Sequence, residues 1–149
     1  MKCIIIDDES VSREILTFLC EKEPDLVVAG SFSNAMEAFR FLNQESVDLI
    51  FLDIHMPGFS GFDFLQTIKN SPHIILTTSD KTSAVHAFEY DSIVDFLSKP
   101  IDPNRLKIAI KKVENLLKTK SAEPEKILSN KAEINQFFIN IDKRLVKIN

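Results

Sequence analysis

Cysteine is scarce in this chain, with two among 149 residues. They form no CxxC pair, and the three histidines do not gather around them, so the spacing of a zinc site is missing. Cys3 lies in an apolar run and Cys20 in a segment of helical period, settings in which cysteine acts as a small buried hydrophobe. Long apolar runs are missing too. No stretch approaches the roughly 20 residues that span a bilayer. The opening MKCIII is broken by Asp7 too early for the apolar region of a secretory signal. The expectation is a cytoplasmic chain with no membrane partner.

The chain does have enough apolar material for a core, 44% of its residues, and enough charge, 27%, for a solvated surface. Its length suits one ordinary domain plus an appendage. The net charge of −4 hides an asymmetry, because the first hundred residues are strongly acidic and the remainder is basic. An acidic region suits metal binding. A basic one suits an acidic partner or nucleic acid, or is the solvated face of lysine-rich helices.

Apolar runs of strand length alternate with segments of helical period through about residue 120. Residues 1–6 end in three successive β-branched isoleucines without alternation, as in a strand buried on both faces. Val11, Ile15 and Leu19 then recur at helical spacing, with Leu16 and Cys20 widening the stripe. Further strands are expected over 26–31, 47–52, 73–76 and 94–97. Helices are expected after a cap at Ser33 or Asn34, over 62–70, over 82–90, and from Asp102-Pro103, a good N-cap and first-turn pair. Asn34 and Glu37 have capping-box spacing. The fold class is therefore α/β, a doubly wound five-stranded parallel sheet flanked by five helices.

Chemistry collects at the strand ends. The first strand runs into Asp7 and Asp8, the third into Asp53, the fourth into Thr77 and Thr78, and the fifth into Lys99-Pro100. Ligands of open parallel sheets bind outside the carboxyl ends of the strands, so three carboxylates, a hydroxyl and an ammonium should meet there. Such a set suits a divalent cation and a phosphoryl group. Magnesium prefers octahedral oxygen ligation and keeps several waters. Asp8 and Asp53 would bind it directly, Asp7 through water, and the backbone carbonyl of His55 would add an oxygen. Lys99 would reach phosphoryl oxygens as a point charge, and Thr78 would donate a hydroxyl bond. His55, His73 and His86 form no metal triad, and Phe59, Phe62 and Phe64 are read as packing or an interface.

These motifs, Asp7-Asp8, the LDIHMPG segment around Asp53, Thr78-Ser79 and Lys99-Pro100, resemble in order and spacing the receiver domain of bacterial two-component response regulators, across residues 1–120. The resemblance implies a flavodoxin-like fold, Asp53 as phospho-acceptor and a sensor histidine kinase as donor. It also implies magnesium on Asp7 and Asp8, Thr78 as the switch hydroxyl, Lys99 against the phosphoryl group, and a switch rather than a turnover enzyme. Phe96 stands where the family often has Tyr, so any signal there must travel by packing. Thr77 competes with Thr78 for the switch role; the family follows that hydroxyl with a small residue, here Ser79. The stretch before Phe96 is one residue longer than its usual form.

Phosphorylation is expected to promote a homodimer through the face formed by the fourth helix, fifth strand and fifth helix, which adjoins Thr78 and Phe96. Lys107, Lys111 and Lys112 of the last helix and Glu89, Asp91 and Asp95 offer opposite charges to pair across a two-fold axis. Residues 121–136 read as a linker. Residues 137–149, FFINIDKRLVKIN, resemble the opening strands of a LytTR-type DNA-binding domain, which makes the chain a truncated transcription regulator on this reading. Two rival classes remain. A magnesium-dependent aspartyl-phosphate phosphatase or phosphotransferase of haloacid-dehalogenase type would need a second Asp where His55 stands. A stand-alone receiver would act by protein–protein interaction alone.

Overall fold

Alternation within each strand assigns its side chains to two faces of a sheet, and the pairing of strands fixes which helices cover which face. In the computed structural model the described residues are 1–68, 72–80, 82 and 90–120. The strands are β1 (Lys2–Ile6), β2 (Val27–Phe32), β3 (Leu49–Asp53), β4 (His73–Thr78) and β5 (Ile93–Ser98). All pairings are parallel, in the order β2-β1-β3-β4-β5. The helices are α1 (Ser10–Glu21), α2 (Ala35–Gln44), α3 (Gly61–Thr67) and α4 (Pro103–Lys120). The doubly wound class expected from the sequence is thus observed with four described helices instead of five. The one expected over 82–90 lies, apart from its end residues, outside the described residues, as do 121–149.

Two rows of paired residues show the layering. Ile6, Leu52, Leu76 and Phe96 share one face, in a core cluster with Ala35, Ala38, Phe64 and Leu65 of α2 and α3. Ile5, Phe51, Ile75 and Asp95 share the other, where Asp95 meets α4. Burial on both faces explains why β1 and β3 are unbroken apolar runs. Between Ile74 and Ile75 the pairing slips by one on β5, from Ile93 to Asp95, so Val94 has no counterpart. This bulge falls in the segment that the family resemblance makes one residue long.

Local signals set the helix starts. The Asn34 side chain accepts from the Glu37 N–H at 2.9 Å, and Asp102 accepts from the Arg105 N–H at 2.9 Å. Ser60 and Asp63 cap α3 reciprocally, a box the sequence reading missed. The face assigned to α1 is corrected: Leu16 and Cys20 are buried, whereas Val11 and Ile15 are 65% and 47% exposed. Neighbouring positions on a helix lie about 100° apart. A helix covering one side of the sheet therefore buries Leu16 and Cys20 while its equally apolar neighbours remain outside. Phe18 is also exposed and carries the Lys22 ammonium 4.4 Å above its ring.

Cys3 and Cys20 are both free and buried. A hydrogen bond between their sulfurs, together with burial, pushes the Cys20 thiol far up, which makes it unreactive. Among the described residues no helix is long and apolar enough to cross a membrane. The chain divides into two compact units, Met1–Val113 and Glu114–Asn149.

Phe64 is fully buried and stacks on Phe39 with centroids 4.6 Å apart. Phe64→Ala should therefore cost about 3–5 kcal/mol of unfolding free energy, measured by urea denaturation. A cost below about 1 kcal/mol would show that this face of the core is not what holds α3.

Candidate functional site at the carboxyl edge of the sheet

The chain leaves β1 for β2 on one side and later enters β3 on the other. The carboxyl ends of β1 and β3 therefore flank a crevice where the winding reverses. Asp7 follows β1 and Asp53 ends β3; they are 4% and 3% exposed. Asp8 beside them is exposed, and one carboxylate oxygen from each of the three lies within 4.8 Å of the others. The Asp7 N–H donates to the Phe32 carbonyl at 3.0 Å, which fixes the turn.

Lys99 enters this acidic pocket from the end of β5. Its Nζ lies 2.9 Å from Asp7 Oδ2, 3.2 Å from Glu9 Oε1 and 3.6 Å from Asp53 Oδ1. Its N–H donates to the Thr78 carbonyl at 2.8 Å, and the Lys99–Pro100 peptide is cis. The Glu9 N–H donates to Asp7 Oδ1 at 2.9 Å and the His55 N–H to Asp53 Oδ1 at 3.3 Å.

One ammonium does not neutralise this set. Burial, and then the Asp7 charge, push the Asp53 carboxyl from its ordinary 3.8 up to about 7, although Lys99 and the His55 N–H pull the other way. Burial alone would lower the Lys99 ammonium, but its bond to Asp7 and the charges of Asp53 and Asp7 outweigh this and raise it. The bond from Lys99 holds the Glu9 carboxyl below the usual range. Hard oxygen donors, crowded and short of positive charge, fit a divalent cation of the magnesium type.

Thr78 is near this group but not in it. Its Oγ1 accepts from the Asp80 N–H at 2.9 Å and donates to the Asp80 carbonyl at 3.2 Å. Thr77 pairs in register with Asp53 and, with Asp7, Leu16, Lys99 and Pro100, lines a small cavity beside α1. Thr78 lies on the opposite face, the one Phe96 shares. Phe96 is partly buried against the core there. The His55 side chain points toward the same turn as Thr78, with Nε2 3.7 Å from Asp80 Oδ2.

Two glycines shape the loop after Asp53. Gly58 has a φ of +81°, a left-handed conformation that side chains disfavour. At Gly61 a Cβ would stand 2.5 Å from the Asp53 carbonyl oxygen, so α3 starts in direct contact with the candidate acceptor's backbone.

The structure thus brings Asp7, Asp8, Asp53 and Lys99 together and leaves Thr78 and Phe96 on the face of the sheet opposite Thr77. Sequence reasoning missed Glu9, although it stands third in an acidic run. It also missed Arg13, whose Nη1 donates to the Asp7 carbonyl at 2.6 Å from one turn inside α1.

Residues 3–111 match the response regulator receiver domain family. The chain is 31% identical over 150 residues to the sensory transduction protein LytT of Oceanobacillus iheyensis, covering 97% of this chain and 58% of that protein. It is 39% identical over 118 residues to the sensory transduction protein LytR of Staphylococcus haemolyticus, covering 77% of this chain and 46% of that one. The chain therefore spans about half the length of these curated relatives. Among solved structures, the response regulatory domain of mrkE from Klebsiella pneumoniae superposes with a TM-score of 0.70 at 31% identity. That match covers 78% of this chain and 97% of that one.

The raised Asp53 value has a defined sign. An acid whose folded value exceeds its ordinary 3.8 makes the metal-free fold lose stability as pH rises from there toward about 7. Asp53→Asn should remove that loss, gaining on the order of 1–2 kcal/mol at pH 8 and little at pH 4. Thermal melts in chelator at both pH values test this, and equal effects at the two would contradict it. Gly61→Ala should instead destabilise by about 1–3 kcal/mol, read by the same melts, because the Asp53 backbone must give way.

Proposed function

The chain belongs to the response regulator receiver family, and on that premise we propose that Asp53 accepts a phosphoryl group from a sensor histidine kinase. The observation that carries the reading is the Asp53 carboxylate, buried at the end of β3 with Lys99 3.6 Å away and Asp7 and Asp8 in the same oxygen set. An Asp53 oxygen bonds to phosphorus as the phosphorus–nitrogen bond of the donor histidine breaks, and the leaving imidazole takes up a proton. Lys99 holds the new anionic oxygens as a point charge. Asp8 and Asp53 directly, Asp7 through water, and the His55 carbonyl are the groups that would hold magnesium. When bound, that ion supplies the charge needed to offset the incoming phosphoryl oxygens.

Thr78 is the switch hydroxyl. Its place on the Phe96 face supports this choice over Thr77, which looks toward α1. To reach the phosphoryl group it must leave the Asp80 turn, and the space it vacates lies on the side of the sheet where Phe96 packs. Phe96 responds through packing, because it has no hydroxyl. The product is a cytoplasmic signalling switch, not a turnover enzyme.

The output reading is homodimerisation followed by DNA binding; it rests on the LytTR-like segment 137–149, and relatives named LytT and LytR are consistent with that subfamily. On it, residues 1–120 are the receiver, 121–136 the linker and 137–149 the start of the output domain. The charge pairing expected across the dimer needs one correction. Asp95 and Lys112 are bonded to each other within the chain at 3.0 Å, so neither is open for the partner. Lys107 and Lys111 remain on the exposed side of α4.

Acetyl phosphate with magnesium should add one hydroxylamine-sensitive phosphoryl group, seen by intact mass. Asp53→Asn should abolish it, and a full equivalent on that variant would overturn the assignment. Magnesium at tenfold its dissociation constant should stabilise the fold by about 1.4 kcal/mol. A melting temperature indifferent to millimolar magnesium would exclude the cation site.

A further inference from the structure

A second charge cluster, on the open edge of the sheet, takes no part in the site above. Asp95 is buried on β5 in the row of Phe51 and Ile75 and faces α4. Arg105 grips it with both prongs of its guanidinium, Nη1 to Oδ2 at 2.8 Å and Nη2 to Oδ1 at 2.6 Å. Lys112 adds Nζ to Oδ2 at 3.0 Å. Burial would raise the Asp95 carboxyl, but the bonds from Arg105 and Lys112 more than offset it and hold it below the usual range.

The same two side chains also hold the main chain of the next residue. Asp95 Oδ1 accepts from the Phe96 N–H at 2.8 Å, and Arg105 Nη2 donates to the Phe96 carbonyl at 3.3 Å. Among the described residues β5 pairs only with β4. The Lys99 N–H points to β4, so alternation turns Leu97 and Asp95 the same way and leaves the Phe96 N–H and C=O on the open side. Free groups on such an edge are a template for another strand; here both are occupied. Arg105 belongs to the first turn of α4, and its own N–H is bound by Asp102, so the clamp ties Phe96 to the start of that helix.

We propose that Asp95 and Arg105 are positioning residues for the switch. They fix the Phe96 main chain at both its N–H and its C=O, so that the response at β5 is confined to the Phe96 ring while the strand and its open edge stay in place. The proposal rests on the reading of Asp53 as acceptor and Phe96 as responder. Arg105 suits the task because a planar fork can bind a carboxylate and a carbonyl at once, which an ammonium does less well. Arg105 and Lys112 are 37% and 50% exposed, so both can turn to water when Asp95 is removed and the fold should survive.

Amide hydrogen exchange by NMR tests this on the chain and its variants, with and without beryllofluoride and magnesium. In Asp95→Ala the Phe96 amide should exchange roughly tenfold faster or more, while amides of β1 and β3 stay unchanged. Asp95→Asn, which keeps an oxygen acceptor, should restore most of that protection. Lys112→Gln should leave Phe96 as it is, since Lys112 bonds the far oxygen of Asp95. Beryllofluoride should shift the Phe96 ring signals in the unmodified chain and, in Asp95→Ala, spread into the β5 amides. An unchanged Phe96 amide in Asp95→Ala, or faster exchange throughout the sheet, overturns the clamp. An unmodified chain that ignores beryllofluoride overturns the phospho-switch reading instead, and the exchange arm still judges the clamp.

Discussion

Two buried carboxylates side by side require a cation, and the rest of the site is arranged around the one that Lys99 provides. Lys99 joins the ends of three strands: Asp7 after β1, Asp53 on β3, and its own position after β5. The fourth strand is tied in through the Thr78 carbonyl. A single ammonium among Asp7, Asp8, Glu9 and Asp53 leaves the edge short of positive charge, and it does not offset the burial and the Asp7 charge that raise the Asp53 carboxyl. The shortage is what a divalent cation relieves, and an added phosphoryl group would deepen it. Metal binding and phosphoryl acceptance are therefore linked by charge before any conformational change is considered.

The two faces of the sheet divide the labour. Thr77 and Asp95 look toward α1 and α4, whereas Thr78 and Phe96 look toward α2 and α3. One residue of offset separates a threonine lining a cavity beside Lys99 from one whose hydroxyl is held in a turn by Asp80. The first face holds the ion pairs of Asp95, and the second holds the packing of Phe96 against the core. The two can then be altered independently, since few side chains serve both.

How much of this the sequence disclosed depended on the range of the physics. Strand identity was legible because residues buried on both faces leave unbroken apolar runs, as in β1 and β3. The acidic cluster was legible because topology alone delivers strand ends to one edge. The buried side of α1 was misread because Val11, Ile15, Leu16 and Cys20 are all apolar, so hydrophobicity could not choose between faces. Asp95 was expected to pair across a dimer axis because its partners within the chain lie 10 and 17 residues away on another element. No periodicity connects a strand residue to a helix that packs over it. Gly61 carried no signal either, since its role is set by the Asp53 carbonyl oxygen, which would stand 2.5 Å from any Cβ placed there.

The bulge at Val94 has a consequence for how this chain can vary. Downstream of it β5 is pinned, by the Lys99 N–H on Thr78, the Lys99 ammonium on Asp7, and the Arg105 fork on Asp95. The surplus residue is taken up at the bulge and does not push the strand forward by one and turn every later side chain over. The bulge works like an expansion joint. Insertions and deletions that rebuild the approach to β5, and any surface it presents to partners, can accumulate there while the spacing from Phe96 to Lys99 keeps its phase.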